Sequence, residues 1–268
     1  MTHLASPSPA ARPIGRHLRD WRQRRRLSQM DLALDAEIST RHLSFLETGR
    51  AAPSREMVLR LAERLEVPLR ERNQLLLAAG FAPVFAERTL DDPAMAPARE
   101  AMERLLAAHD PWPALAVDRH WILRAANPAA GRLMAGLPAA LAGPTLNVLR
   151  ASLHPDGLAP RIVNLAEWRG HLLSRLRRQT AASGDPVLAD LVAELEAYPG
   201  GEAEIDPTAG ALAAPLRLAV EGTVLSFLSA TLMFGAPQDV TLSELAVEVF
   251  LPADAVTAQT LRLGAGGA

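Results

Sequence analysis

The sequence predicts two domains: an N-terminal all-α domain of five helices and a C-terminal α+β domain with a small antiparallel sheet. Its length of 268 residues suits two ordinary domains, and the 49% of hydrophobic residues can form a core in each. Helical apolar spacing continues to about residue 80, whereas short β-type runs begin only after residue 110. The distribution of charge along the chain divides it in the same way.

The net charge of −2 is the sum of two opposite parts. All 28 basic residues are arginine, because the chain contains no lysine, and there are 30 acidic residues. Through Arg88 the chain has 15 arginines and 10 acidic residues, a net charge of +5, whereas the remainder has 13 arginines and 20 acidic residues, a net charge of −7. We therefore expect the first part to bind an anion and the second part to have another role.

Five short helices are predicted in the basic part. Three serines stand at helix starts: Ser28 forms a capping-box pattern with Asp31, Ser39 can cap the third helix, and Pro53-Ser54 starts the fourth. The predicted helices are Ile14 to Arg26, Gln29 to about Ala36, Ser39 to about Glu47, Pro53-Ser54 through Leu65, and Leu69 to Ala79. Gly49 and Gly80 are placed to end the third and fifth helices.

The later part of the chain mixes strands and helices. We expect two strands that meet at Arg119-His120, then a helical stretch, then a hairpin that turns at Glu221-Gly222. The predicted elements are a helix over Arg99 to Ala108, strands at Ala114 to Asp118 and Trp121 to Ala125, a helix from near Asn127, a long helix from about Pro160 to Ala182, and strands at Ala214 to Val220, Thr223 to Phe234 and Leu245 to Leu251. The organisation is then a flexible tail at 1–13, a helical domain at 14–80, a proline-bearing linker at 81–97, an α+β domain at 98–263 and a second tail at 264–268.

Several classes of protein are excluded or disfavoured by composition. The absence of cysteine excludes disulfide scaffolds, thiolate catalysis and cysteine-ligated metal centres. Met1 to Pro13 has no apolar core for a secretory signal, and no run approaches the roughly 18 apolar residues that span a bilayer. We expect a cytoplasmic protein with no membrane partner. The histidines lack a short paired spacing for a metal, and no Walker loop, nucleophile elbow or dinucleotide fingerprint is present.

The second and third predicted helices have the spacing of a helix-turn-helix. Ala33 is placed at the close approach of the two helices, and Ile38, Leu43 and Leu46 face the shared core. The start of the third helix then presents outward the residues that we expect to contact base edges: Thr40, Arg41 and Ser44. Arginine at that place can donate two hydrogen bonds to guanine.

Phosphate contacts are expected around this helix, from Gln29 at the start of the second helix and from Arg26, Arg50 and Arg55. A solvated helix face is the alternative explanation for the arginine run Arg22, Arg24, Arg25 and Arg26.

This segment resembles the DNA-binding domain of Cro/repressor-type (XRE) regulators. The resemblance is carried by SQMDLA, ISTRHLSFLETGR and PSREMVLRLAERL, and it covers Gly15 to Ala79. It implies double-stranded DNA as a partner, and a homodimer would place two recognition helices about 34 Å apart on a near-palindromic site. Glu37 stands where many relatives have a turn glycine, and a non-glycine residue can occupy a left-handed position at modest cost.

The acidic part resembles the ligand-binding domain of MmyB-like transcription regulators, which has a PAS-like fold. The motifs are PALAVDRHW, NVLRASLHPDGLAPRIVNLAEWRGHLL, LSFLSATLMFG and ELAVEVFLPAD, spread over Pro111 to Leu263. The resemblance implies a fatty-acid-like molecule held between the sheet and its helices, and no other cofactor is expected. Haem or flavin is a less favoured alternative.

A polar and aromatic face on the predicted long helix is the candidate ligand site. Helical spacing places on it Arg161, Asn164, Trp168, His171 and Leu172. Such a face could bind a carboxylate head and cover an apolar tail, with Phe227 from a late strand as further lining. The alternative is that these side chains serve only the packing of the domain.

The leading hypothesis is a one-component transcription regulator that binds operator DNA and is modulated by a small apolar ligand. A second is a DNA-binding protein whose C-terminal domain only dimerises. A third is an enzyme regulated through its own DNA-binding domain, for which His154, Asp156 and Arg161 are loosely spaced candidates, and we expect no enzyme activity.

Overall fold

A computed structural model describes residues 14–201, 203 and 215–265. The predicted tail at 1–13 lies outside the described residues, as do the last three residues of the tail at 264–268 and Ala214 at the start of a predicted strand. The chain forms two compact units, Met1–Glu87 with Gln238–Val240, and Arg88–Pro237 with Thr241–Ala268.

The first unit contains the five predicted helices. They are α1 (Ile14–Arg24), α2 (Gln29–Asp35), α3 (Thr40–Glu47), α4 (Arg55–Arg64) and α5 (Leu69–Ala78). Ser28, Ser39 and Ser54 are the N-caps of α2, α3 and α4, and each hydroxyl accepts a hydrogen bond from a backbone N–H three residues on. The Asp31 carboxylate accepts a hydrogen bond from the Ser28 N–H and completes the predicted capping box.

All five helices end in the same way, with a left-handed residue. Glycine takes this conformation after α3 and α5, but charged residues take it after the other helices: Arg26 at φ 56°, Glu37 at φ 56° and Glu66 at φ 47°. At the end of α2, the Ile38 N–H donates to the Ala33 carbonyl at 2.9 Å, which closes a Schellman motif around Glu37. Glu37 therefore occupies the left-handed position that a turn glycine takes in many relatives.

The core of the first unit seats α1 closely on α3. Leu18 of α1 and Leu43 and Leu46 of α3 are fully buried in one cluster with residues of α2, α4 and α5. Gly15 makes this approach possible, because a Cβ atom there would lie 2.3 Å from the Leu46 carbonyl oxygen. The C-terminal end of α3 is therefore fixed by backbone contact with α1.

The second unit is an α+β domain built on a five-stranded antiparallel sheet, as predicted. Its helices are α6 (Ala96–Ala108), α7 (Pro128–Leu133), α8 (Val148–Leu153), α9 (Leu165–Ser183), α10 (Pro186–Ala197) and α12 (Ala255–Ala265), and it also contains Thr241–Ser243 of the short helix α11 (Val240–Ser243). Its strands are β1 (Ala114–Val117), β2 (Leu123–Ala126), β3 (Leu216–Val220), β4 (Thr223–Met233) and β5 (Ala246–Pro252), in the order β2-β1-β5-β4-β3. The β3–β4 hairpin turns at Glu221 and Gly222, both with positive φ, which confirms the predicted tight turn.

The two faces of this sheet pack on different helices. Alternate residues such as Ala116 and Val249 lie in a cluster with Met102 and Leu106 of α6. The opposite face contributes residues such as Leu115 to the larger cluster, which includes buried leucines of α8, α9 and α10. This second face is the one that bounds the cavity described below.

The long helix begins later than its apolar pattern predicts. It starts at Leu165 rather than near Pro160, since residues 159–161 form a short 3-10 turn. Ile162 then pairs with Leu218 of β3, and the Val163 N–H donates to the Arg217 carbonyl at 2.8 Å. Because the chain is extended here to reach the sheet, the prediction that Arg161 and Asn164 lie on this helix is wrong.

Two other boundaries shift for local reasons. Helix α6 begins at Ala96 instead of Arg99, after a short turn in which the Asp92 side chain accepts a hydrogen bond from the Ala94 N–H. Strand β2 begins at Leu123 instead of Trp121, because Trp121 has a φ of 66° and belongs to the turn after β1.

Candidate nucleic-acid interface and ligand cavity

Helix α3 presents its first turn to solvent and buries its opposite side. Thr40 and Arg41 are exposed and Ser44 is half-buried, whereas Leu43 and Leu46 are fully buried. The helix starts at Thr40 because the Ser39 hydroxyl accepts the His42 N–H at 3.1 Å. The three residues predicted to read bases are thus on the accessible side of one short helix.

The ring of Phe45, which the sequence reasoning missed, is in contact with two of the candidate arginines. The guanidinium carbon of Arg41 is 5.3 Å from the centre of the Phe45 ring, and that of Arg50 is 5.9 Å from it. Both distances are within the range of cation–π attraction. The spacing of four residues from Arg41 to Phe45 on a helix is the signal that could have identified this contact.

A buried polar cluster joins α1, α2 and α3. Arg22 donates from Nε and Nη2 to the two carboxylate oxygens of Glu47, at 2.6 Å and 2.9 Å, and from Nη1 to the Leu27 carbonyl. This hydrogen bonding raises the pKa of Arg22 above its ordinary value. Gln29, predicted to contact phosphate, donates its side-chain amide to the same Glu47 carboxylate at 2.8 Å. Arg22 therefore serves the packing of the helices.

The remaining arginines of this region fall into two groups. Arg25 donates to the carbonyls of Leu65 and Glu66, which ties it to the end of α4. Arg26, Arg50 and Arg55 are exposed, and Arg55 is the first residue of α4. These three predicted phosphate contacts lie on accessible surface, and their role stays a prediction.

The second unit contains a cavity of about 90 Å³ between the inner face of the sheet and helices α7 to α9. A single buried water needs a cavity volume of about 10–15 Å³, measured in the same way, so the space can hold several waters. Its walls are mostly apolar, and its lining residues are Pro113, Leu115, Trp121, Ala130, Leu133, Met134, Val148, Leu149, Ala151, Ser152, Leu158, Trp168, Leu172, Arg175, Leu216, Leu218, Ser229, Glu248 and Phe250.

An ion pair forms one side of this cavity. Arg175 of α9 donates from Nη1 and Nη2 to the two carboxylate oxygens of Glu248 on β5, at 2.9 Å and 2.6 Å. Thr231 of β4 accepts from Arg175 Nη2 at 2.8 Å and donates to Glu248 Oε1 at 3.0 Å. The Arg175 guanidinium carbon also lies 4.5 Å from the centre of the Trp121 ring. Glu248 is only 4% exposed, so the pair is shielded from water on the side of its carboxylate.

Two of the six predicted ligand residues, Trp168 and Leu172, line the cavity. Arg161 lies outside the lining and donates to the carbonyls of Leu133 and Ala219. Asn164 also lies outside it, where its side chain joins the start of α9 to β3 by donating to the Pro215 carbonyl and accepting from the Arg217 N–H.

His171 and Phe227 support the cavity walls from behind. The His171 ring stacks on Trp168 with centroids 5.5 Å apart. Burial, together with Arg175 and Arg178, lowers the pKa of His171. Phe227 is fully buried and meets Phe250 edge-on at 6.4 Å. The ligand roles of Arg161, Asn164, His171 and Phe227 stay predictions.

The sequence contained a signal for Arg175 that the prediction did not use. Trp168, Leu172 and Arg175 follow the spacing i, i+4 and i+7, so Arg175 continues the face already singled out. Glu248 is an acidic residue inside the apolar strand AVEVFLP, which is also unusual.

The residues considered for catalysis have other contacts. His154 Nδ1 accepts the Asp156 N–H at 3.0 Å, and the His154 ring meets Tyr198 edge-on. Within the described ranges, no group of three or more His, Asp or Glu side chains is arranged to hold a metal ion. None of the described helices is both long and apolar enough to cross a membrane.

Comparison with known families agrees with both halves of the chain. Residues 13–75 match a helix-turn-helix domain, which contains the capped helices α2 and α3. Residues 98–263 match the MmyB-like transcription regulator ligand binding domain, which contains the cavity. No curated protein matches the chain. The second match covers more than half of the chain, so the chain belongs to the MmyB-like transcription regulators. Together the two matches make it a DNA-binding transcription regulator with a ligand-binding domain.

Proposed function

We propose that the protein is a one-component regulator in which a small apolar ligand in the cavity modulates binding to operator DNA. In this proposal residues 14–80 read DNA, residues 81–97 link the domains, and residues 98–263 hold the ligand. The protein has no catalytic role and requires no metal or haem.

The single observation that carries the DNA-reading part is the exposure of the first turn of α3. Thr40 and Arg41 are accessible there, while Leu43 and Leu46 anchor the helix from behind. Such a helix fits the major groove with its N-terminal residues toward base edges. The guanidinium groups of Arg41 and Arg50 both lie within about 6 Å of the Phe45 ring, so the proposed base contact of the first and the proposed phosphate contact of the second would lie close together.

We propose that the protein acts as a homodimer. One recognition helix contacts only a few base pairs, and two copies related by a twofold axis would read half-sites about 34 Å apart. The exposed arginines Arg26 and Arg55 would then supply phosphate contacts on both halves of the site.

The cavity supports a ligand in preference to a domain that only dimerises. Ligand sites in proteins are concave and mostly apolar, and this space corresponds to several waters and has mostly apolar walls. The apolar chain of a small molecule suits such walls, and Trp168 and Leu172 would contact it.

Selection from a library of random DNA duplexes, followed by titration, tests the DNA-reading part. We expect the enriched sequence to be an inverted repeat. Arg41→Ala should lower the affinity for it by about 1–3 kcal/mol and leave binding to a scrambled duplex nearly unchanged.

Arg64→Ala is the matched control, because Arg64 is exposed in the last turn of α4 and its loss changes the net charge equally. This variant should bind both duplexes almost as the wild type does. Equal losses of Arg41→Ala on both duplexes would remove Arg41 from base reading, and a library without enrichment would refute sequence-specific binding.

A further inference from the structure

The two charged residues that line the cavity, Arg175 and Glu248, form an ion pair with each other, so their charges cancel. From the Arg175–Glu248 pair we infer that the ligand is an uncharged molecule, an apolar chain with a hydroxyl, ester or amide head, and is not a carboxylate. This inference rests on the proposal that the cavity binds a ligand.

The hydrogen bonds of Arg175 show why it is a poor site for a second anion. Both of its terminal nitrogens donate to Glu248, and Nη2 also donates to Thr231. Bidentate pairing of this kind is the strongest geometry available to a guanidinium and a carboxylate. Among the lining residues in the described ranges, Arg175 is the one cation and Glu248 the one anion, so the charge is already balanced.

A carboxylate ligand would meet an opposing charge whichever way it bound. If Glu248 stayed paired, two carboxylates would share a site of low polarity, which disfavours ionisation of both. If the ligand took Arg175 for itself, Glu248 would remain buried without its cation, and withdrawal of one partner from a buried pair is strongly destabilising.

An uncharged head avoids both penalties and finds suitable partners. Ser152 and Ser229 are in the lining, and their hydroxyl groups can both donate and accept hydrogen bonds. Ser152 Oγ accepts from Trp168 Nε1 at 3.1 Å, so its own proton can be donated to a ligand oxygen. His171, stacked behind Trp168, brings no second positive charge because burial lowers its pKa.

Calorimetric titration of the full-length protein with octan-1-ol and with octanoate, at about pH 7.5 where octanoate is ionised, tests the inference. We expect octan-1-ol to bind the wild type at least about tenfold more tightly than octanoate. Any apolar site favours the alcohol to some degree, because a carboxylate is costly to desolvate, so a variant must isolate the role of Glu248.

Glu248→Gln keeps the shape of the side chain and removes its charge. This variant should bind octanoate about tenfold more tightly than the wild type, because Arg175 becomes available, while its affinity for octan-1-ol changes little. Glu196→Gln is the matched control: Glu196 pairs with Arg177 in an exposed ion pair, and its loss should leave the preference unchanged.

The outcomes separate the inference from the proposal on which it rests. Octanoate binding to the wild type as tightly as octan-1-ol would overturn the inference and leave a ligand-binding domain in place. The inference would also be overturned if a Glu248→Gln protein with the melting temperature of the wild type bound octanoate no more tightly than the wild type does. Binding of neither compound would refute the proposed ligand function and the inference with it. The wild-type comparison holds even if the variant fails to fold.

Discussion

Glu194 of α10 connects this helix to α8, and Tyr198, the single tyrosine of the chain, is hydrogen-bonded to it. The Tyr198 hydroxyl donates to Glu194, and Arg150 of α8 donates to both oxygens of the same carboxylate at 2.6 Å. Burial and the hydrogen bond to Glu194 raise the pKa of Tyr198 to about 12. Helix α8 contributes residues to the cavity walls. The ionisation of Tyr198 therefore reports on the hydrogen-bonded group of Arg150, Glu194 and Tyr198 that fixes α8 to α10.

Glu194→Gln should lower the pKa of Tyr198 toward its ordinary value of about 10, because the negative charge that opposes phenolate formation is removed. The folded pKa lies above the unfolded one, so the stability that this group contributes is fully present below about pH 10 and is lost as the pH rises toward about 12. Tyrosinate absorbance after a rapid pH jump, read before the protein unfolds, measures the shift.

Glu196→Gln, at an exposed pair on the same helix, is the control and should leave the pKa of Tyr198 where it is in the wild type. If Tyr198 of the wild type titrated near pH 10, this result would contradict its burial and its hydrogen bond to Glu194.

At the scale of elements, the position of the recognition helix depends on the packing of α1 against the end of α3. Gly15→Ala should destabilise the first unit by about 1–3 kcal/mol, because the new Cβ would lie 2.3 Å from the Leu46 carbonyl and 2.6 Å from that of Glu47. Backbone atoms cannot rotate away as a side chain can. Urea unfolding measures the loss, and DNA titration should show weaker binding as α3 is displaced.

Gly131→Ala is the matched substitution, since Gly131 lies inside α7 and a Cβ there would meet nothing within 4 Å. Its effect should be neutral or stabilising by up to about 1 kcal/mol. A Gly15→Ala protein as stable as the wild type would mean that α1 can move away from α3 at little cost.

The ends of helices and strands could be predicted from the sequence where they depend on hydrogen bonds between residues that are close in the chain. The serine caps of α2, α3 and α4 and the turn at Glu221-Gly222 depend on hydrogen bonds within a few residues. The caps Ser28 and Ser39 and the turn were predicted, and the fourth helix was predicted to start at Pro53-Ser54. The start of α9 could not be predicted, because it depends on the pairing of Ile162 with Leu218, and these residues are far apart in the chain.

The same distinction holds at the candidate sites. Trp168 and Leu172 follow a helical period and were found, and Arg175 continues that period. Its pairing with Glu248 spans 73 residues and depends on the register of β5 against β4, which no local pattern encodes.

At the scale of the whole molecule, the net charge describes neither part of the chain. The attraction to phosphate belongs to the first part, with +5, whereas the −7 of the remainder adds nothing to DNA affinity. An effect of the ligand on DNA binding therefore has to come from a difference in its affinity for two conformations of the protein.

If the ligand modulates DNA binding, the coupling must be reciprocal. Saturating octan-1-ol should change the dissociation constant for the selected duplex by a factor of about 5–150, and saturating duplex should change the dissociation constant for octan-1-ol by the same factor. Calorimetry in both directions measures the two factors, with a scrambled duplex as the control that detects a general effect of polyanions. Agreement of the factors would place the cavity and α3 in one linked equilibrium. A factor of one in both directions would leave a ligand that binds without regulating, and the role of the cavity would then be confined to the stability of its own domain.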